Sequence, residues 1–300
     1  MDRPPATTRT EAGPRVVGEP QPFATDREFR QFTDFVSRHT GIALTEGKQQ
    51  LVCSRLRKRL RHYGYVSLAQ YYEHLTARDP RGEELVHMVN ALTTNRTEFF
   101  REAHHFHLLR AELAARGSAV PGRRRLRIWS AGCSSGEEAY SLAFTVLDAV
   151  PDVAAWNVKI LASDIDTNVL SRAETAIYPV ERVMGVPWPV RERYFAYGRG
   201  AHAGLVRVRA AARDLVVFRR INLRQEPWPI RTTFDVIFCR NVLIYFDRAL
   251  QQRLIARFVE HLEPGGLLFL GHAESLLGMR TGLRYRGRTV YQKIAEGASR

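Results

Sequence analysis

Three hundred residues, 45% of them hydrophobic, suffice for one small and one medium domain, each with a packed core. The apolar runs are no longer than strands and the N-terminus lacks the apolar centre of a signal peptide, which speaks against a membrane helix and predicts a cytoplasmic protein. A formal net charge of +14 asks for an anionic partner, and three cysteines without CxxC spacing, Cys53, Cys133 and Cys239, argue against both a disulfide framework and a zinc site.

Residues 1–22, rich in Pro, Thr, Arg and Gly without apolar periodicity, read as a disordered tail. From Thr25 onward Phe29, Phe32, Phe35 and Val36 share one helical face, and further helical segments cover 52–62, 68–75 and 83–92, giving an all-α domain over 23–103. The segment Arg55-Leu-Arg-Lys-Arg-Leu-Arg61 lies in a stretch from Gly47 to Tyr72 that contains no acid. There Val52, Leu56 and Leu60 form a packing stripe, while Lys48, Arg55, Arg59 and His62 form one basic face and Arg57 and Arg61 another. A solvated face is the ordinary fate of such a run; the missing acid favours a polyanionic partner.

Residues 104–300 change to alternating strands and helices. A helix through Leu108 to Ala115 and a loop from Gly117 to Gly122 lead to a strand ending at Trp129, a small-residue turn from Gly132 to Gly136, and a helix carrying Tyr140, Leu142, Ala143 and Val146. This is a nucleotide-type βα unit, but it matches neither phosphate fingerprint, and Glu137 and Glu138 at the helix start would repel an anion. A second strand over 158–166 ends in acids, of which Asp164 suits a ribose and Asp166 suits a helix cap for 168–176. An insertion at about 191–222 contains Leu205-Val-Arg-Val-Arg209, whose alternation predicts an edge or hairpin strand. A third strand over 234–246, a helix over 248–262 and a strand over 267–270 complete a doubly wound α/β domain with a small β-subdomain insertion, preceded by the all-α domain.

Six segments in order carry a resemblance: Ala91-Leu-Thr-Thr-Asn-Arg-Thr-Glu-Phe-Phe-Arg-Glu102, the Trp129 segment, Ala162-Ser-Asp-Ile-Asp-Thr167, Phe218 to Leu223, Ile237-Phe-Cys-Arg-Asn-Val-Leu-Ile-Tyr-Phe-Asp247, and Gly271-His-Ala-Glu-Ser275. Over nearly its whole length the chain resembles the CheR-type chemotaxis receptor methyltransferases, which use S-adenosylmethionine to esterify receptor glutamates. Ala139 departs from the family's usual proline, a change that costs only preorganisation of the helix's first turn. The resemblance implies a Rossmann-like methyltransferase domain. It implies cofactor contacts from Asn95, Thr97, Arg101, Glu137, Glu138, Asp164, Asn222, Leu223, Asn241 and Val242, and catalytic roles for Arg101 and Tyr245. Arg101 serves either the incoming carboxylate or the methionine carboxylate. Lys48, Arg55, Arg57, Lys58, Arg59 and Arg61 are implied to meet the acidic methylation helices of chemoreceptors, and the small β subdomain to dock a receptor's C-terminal tether peptide. A monomer is expected.

The reactivity agrees with a short list of residues. A glutamate carboxylate is ionised at neutral pH, so its attack on an electrophilic methyl group needs desolvation and in-line alignment rather than a strong base or an enzyme nucleophile. Alignment alone can recover roughly 7–11 kcal/mol. Simpler roles compete: Asn95 and Thr97 as caps of the next helix, Arg101 paired with Glu98 or Glu102, Glu137 and Glu138 as acids favouring a helix dipole, Tyr245 as a core tyrosine. His104, His105 and His107 lack a completing ligand set and are read as packing or surface residues without a metal. Two other classes compete. A nucleic-acid methyltransferase is countered by Cys239-Arg-Asn-Val-Leu-Ile-Tyr245, where a base methyltransferase has an Asn/Asp-Pro-Pro-aromatic loop; a noncatalytic receptor adaptor is countered by the full set of site residues.

Overall fold

A computed structural model describes residues 24–119, 125–150, 152–279 and 281–294. The predicted tail over 1–22 lies outside them. The first helix, α1 (Asp26–Thr40), starts at a capping box in which Thr25 and Glu28 satisfy each other's backbone donors. It stops at Gly41, whose φ of +80° suits glycine and whose missing side chain makes room for Leu250 and Phe246 of the second domain. After it come α2 (Gln49–Tyr63), α3 (Leu68–Glu73) and α4 (Glu83–Leu92). Their apolar stripes, Phe29, Phe32 and Val36 on α1, Val52, Leu56 and Leu60 on α2, and Met88 and Val89 on α4, bury one another in a core separate from that of the remainder.

Helix α5 (Ala103–Ala119) runs through Gly117 and Ser118, which the sequence placed in a loop. The α/β domain then follows as β1 (Arg125–Ala131), α6 (Glu137–Ala149), β2 (Asn157–Asp164), α7 (Thr167–Thr175), β3 (Ile177–Pro179), α8 (Trp188–Tyr194), β4 (Phe195–Tyr197), β5 (Leu205–Val208), α9 (Ala210–Arg213), β6 (Val216–Arg220), β7 (Phe234–Cys239), α10 (Arg248–His261), β8 (Leu262–Leu270), β9 (Leu283–Gly287) and β10 (Val290–Lys293). The main sheet has the order β6-β2-β1-β7-β8-β10-β9; its first five strands are parallel, and β10 is antiparallel to both neighbours. One face packs on Phe144, Ile128 and Phe238, the other on Trp129, Phe258 and Leu268. Strand order reverses at β1, and in open α/β sheets the crevice beyond the carboxyl ends at such a point is where ligands bind.

Two expectations shift here. The third strand ends at Cys239 rather than Phe246, because Asn241 turns into the left-handed region at φ +59°. The small sheet has the order β3-β5-β4, so the alternating Leu205–Val208 segment is its central strand, with Val206 and Val208 buried and Arg207 exposed. Strand β3 precedes the expected 191–222 insertion, and β6, inside that span, belongs to the main sheet.

Candidate active site

The turn after β1 is held by the end of β2. The Gly132 and Cys133 N–H groups donate to the Ser163 carbonyl (2.7 and 2.9 Å), and the Ser134 N–H donates to the Asp164 carboxylate (2.8 Å). These amides are spent on internal acceptors, so the turn has little left with which to hold a phosphate. Gly132 stands at φ +87°, and a side chain there would collide with Val242 from the β7 end. The carboxyl ends of β1, β2 and β7 thus converge on one cavity of about 390 Å³.

Asn95, Thr97, Arg101, Glu138, Asp164, Asn222, Leu223, Asn241, Val242 and Tyr245 all line that cavity. Burial pushes the Glu138 carboxyl above the usual range, opposed by the Arg240 charge and by the Ser130 hydroxyl, which donates to it at 2.7 Å. Burial also raises the Asp164 carboxyl, against the N–H groups of Asp166 (3.0 Å) and Ser134. A pocket of this size lined by two mostly buried acids takes a cation or a polyol rather than an anion.

Arg101 sits on a crooked segment. Its neighbours Phe100 and Glu102 both adopt left-handed backbone, φ +54° and +56°, a conformation that costs ~1–3 kcal/mol in non-glycine residues and persists only where surroundings enforce it. The enforcing contacts are the Phe100 N–H to the Ser141 hydroxyl (3.0 Å) and the Arg240 guanidinium to the Arg101 carbonyl. Arg101 itself donates to the Arg96 carbonyl (3.0 Å) and pairs with no carboxylate among the described residues, which disposes of the Glu98 and Glu102 pairings. Asn95 and Thr97 lie well before α5 and cap no helix there; the Asn95 amide donates to Asp166 (2.6 Å), the side chain that caps α7 through the Asn168 and Val169 N–H groups.

Two family models match the chain: one described as CheR methyltransferase, SAM binding domain, over residues 95–291, and one described as CheR methyltransferase, all-alpha domain, over 27–93. The chain belongs to the CheR methyltransferase family. The chemotaxis protein methyltransferase 2 of Pseudomonas aeruginosa is 48% identical over 92% of this chain and 96% of its own length. The chemotaxis protein methyltransferase of Escherichia coli is 42% identical over 89% and 90% respectively. This CheR-family chain is therefore an S-adenosylmethionine-dependent methyltransferase with a Rossmann-like domain. The cavity suits that cofactor: Glu138 offers a desolvated carboxylate for an ammonium, and Asp164 ends β2 where a ribose would lie.

Other expected residues fall elsewhere. Glu137 lies outside the cavity: it is buried, ion-paired with Arg182 and bonded to the Ser135 hydroxyl (2.7 Å). Arg59 is not free for a partner, since Glu84 of α4 takes its guanidinium in an ion pair joined by the Tyr63 and Tyr71 hydroxyls. Burial raises the Glu84 carboxyl, but the hydrogen bonds from Arg59 and the two tyrosines outweigh it and hold it below its usual range. Lys48 and Arg55 border the cavity, Arg55 tied to the Leu92 and Thr93 carbonyls, while Arg57, Lys58 and Arg61 are exposed. Asn222 donates to the His39 carbonyl (2.7 Å), and the Ala43 N–H donates to the Tyr245 carbonyl (2.8 Å), so α1 and its following loop form part of the cavity's rim. The Tyr245 hydroxyl bonds to no described residue.

Sequence reasoning missed Arg240. Its side chain is 1% exposed and lies 3.4 Å from both Glu138 and Glu102, within reach of the cavity's buried acid and the Arg101 segment at once. The signal was its position between Cys239 and Asn241 at a strand end, where a buried arginine has no structural need unless acids wait for it. The histidines separate as well: Glu102, His104 and His105 come together, without His107, and Arg240 puts a positive charge against that same carboxylate. His105 is buried, donates from Nε2 to the Arg288 carbonyl (2.7 Å), and its pKa is pushed down to about 4 by burial. Burial raises the Cys133 and Cys239 thiols well above their ordinary value, so neither is a thiolate nucleophile at neutral pH.

Proposed function

We propose that this enzyme transfers the methyl group of S-adenosylmethionine to glutamate carboxylates on chemoreceptor cytoplasmic helices, giving glutamyl methyl esters and S-adenosylhomocysteine in the cytoplasm. The carrying observation is Arg101, a cation that faces the cavity beside Glu138 with no carboxylate partner of its own among the described residues. S-adenosylmethionine supplies an electrophilic methyl group. Glu138 receives its ammonium, with the Arg240 charge opposing the upward push of burial on that acid, and Asp164 receives the ribose. Asn95, Thr97, Asn222, Leu223, Asn241 and Val242 shape the remaining wall. Arg101 orients a carboxylate by a charge-assisted hydrogen bond, worth ~1.5–3 kcal/mol, and the Tyr245 hydroxyl donates nearby. No residue abstracts a proton, because the acceptor is already an anion.

The receptor helix lies across the exposed Arg57, Lys58 and Arg61 of α2, with Lys48 and Arg55 leading to the cavity. Arg59 takes no part. A tether peptide, where a receptor carries one, adds at a free edge of the small sheet, β3 or β4, since β5 is paired on both sides. Incubation with a receptor cytoplasmic fragment should add base-labile methyl groups to glutamates mapped by mass spectrometry. Modification confined to other residues would overturn this reading.

A further inference from the structure

The Gly271-His-Ala-Glu-Ser275 segment follows β8 and carries a buried acid. Glu274 is 4% exposed, and no Lys, Arg or His pairs with it among the described residues. Its carboxylate is satisfied by backbone alone: one oxygen accepts the N–H groups of Gly271 (2.6 Å) and Asn241 (2.8 Å), the other those of Val242 (2.8 Å) and Ile244 (3.3 Å). Burial pushes this carboxyl up, and those amides oppose the push. A buried charge held only by peptide dipoles is expensive unless the bonds it collects are needed.

What they hold is the turn after β7. Asn241 has left-handed backbone at φ +59°, and the next residue, Val242, packs against Gly132 of the β1 turn. Both residues line the cavity. The fit is close from the other side too: a side chain at Gly271 would stand 2.6 Å from the Asn241 amide nitrogen, 2.8 Å from its backbone nitrogen and 2.9 Å from the Glu274 carboxylate.

We propose that Glu274 is a positioning residue: it clamps the Asn241–Val242 turn in the one conformation that completes the cofactor wall. This rests on those two residues facing S-adenosylmethionine. A glutamine is isosteric but has one acceptor oxygen, so either orientation leaves two amides facing an NH2 group. In Glu274→Gln, S-adenosylhomocysteine affinity measured by calorimetry should fall about tenfold or more, and the KM for S-adenosylmethionine should rise in step. The KM for the receptor fragment should move less than that for S-adenosylmethionine, and amide exchange should quicken in the 239–246 peptide more than in the β1 and β2 strands. Gly271→Ala, which pushes on the same clamp sterically, should reproduce the loss and decides the matter if Glu274→Gln fails to fold. Wild-type affinity in a folded Glu274→Gln or, failing that, Gly271→Ala protein overturns the proposal. A wild-type protein that binds no S-adenosylhomocysteine overturns the cofactor assignment beneath it.

Discussion

At the scale of single residues, the proposed cofactor site puts a desolvated acid beside a buried arginine. Glu138 is raised by burial and held in check by Arg240, so cofactor affinity should persist above its pKa and fall as pH drops through it. Because that pKa lies above the ordinary carboxyl value, the loss should begin at a higher pH than a surface glutamate would give. A pH series of the KM for S-adenosylmethionine checks this: Glu138→Gln should raise that KM about tenfold or more on the alkaline side and converge with the wild type on the acid side. Arg240→Met should move the acid limb upward, whereas Arg240→Lys should restore part of the shift. The acids themselves were legible in the sequence from their place at strand and helix ends. Arg240 and the true fate of Glu137 were not, because each is decided by a partner far along the chain: Glu138 and Glu102 for the one, Arg182 for the other.

At the scale of elements, α2 shows what helical periodicity gives and what it leaves out. The packing stripe Val52, Leu56, Leu60 is buried as the spacing requires. The absence of acids between Gly47 and Tyr72 suggested free charge, yet α4 supplies Glu84 to Arg59 across the domain. The two kinds of arginine should therefore separate by experiment. Arg59→Ala leaves a buried carboxylate unpaired and should destabilise the fold by about 3–5 kcal/mol in a denaturant titration. Exposed Arg57, Lys58 and Arg61, replaced together by alanine, should leave stability within about 0.5 kcal/mol each, raise the receptor KM and flatten its salt dependence. Strand β5 makes the same point. Alternation placed Val206 and Val208 inside, but neighbours in a sheet are set by pairing with β3 and β4, which no local pattern records.

At the scale of the whole molecule, the two domains are joined where the chemistry is. Asn90 and Thr167 exchange hydrogen bonds (2.9 and 3.1 Å), Thr93 donates to Asp166 (2.7 Å), and Gly41 lets the end of α1 press against Leu250. The doubly wound order and the helical domain were readable from the change of period along the chain; the seam was not, since it links residues more than seventy positions apart. Gly41→Ala should cost at least ~1 kcal/mol from its φ of +80° alone, lower the melting temperature, and raise the KM for S-adenosylmethionine by loosening the rim.

The central claim is carboxyl methylation of a receptor at the Arg101 cavity. Its most direct test is transfer of a labelled methyl group from S-adenosylmethionine to a chemoreceptor cytoplasmic fragment, with RNA and DNA as parallel acceptors and an Arg101→Ala control. Base-labile label on receptor glutamates, lost in the control, is the expected result. Label on nucleic acid, or undiminished receptor labelling by Arg101→Ala, would contradict it.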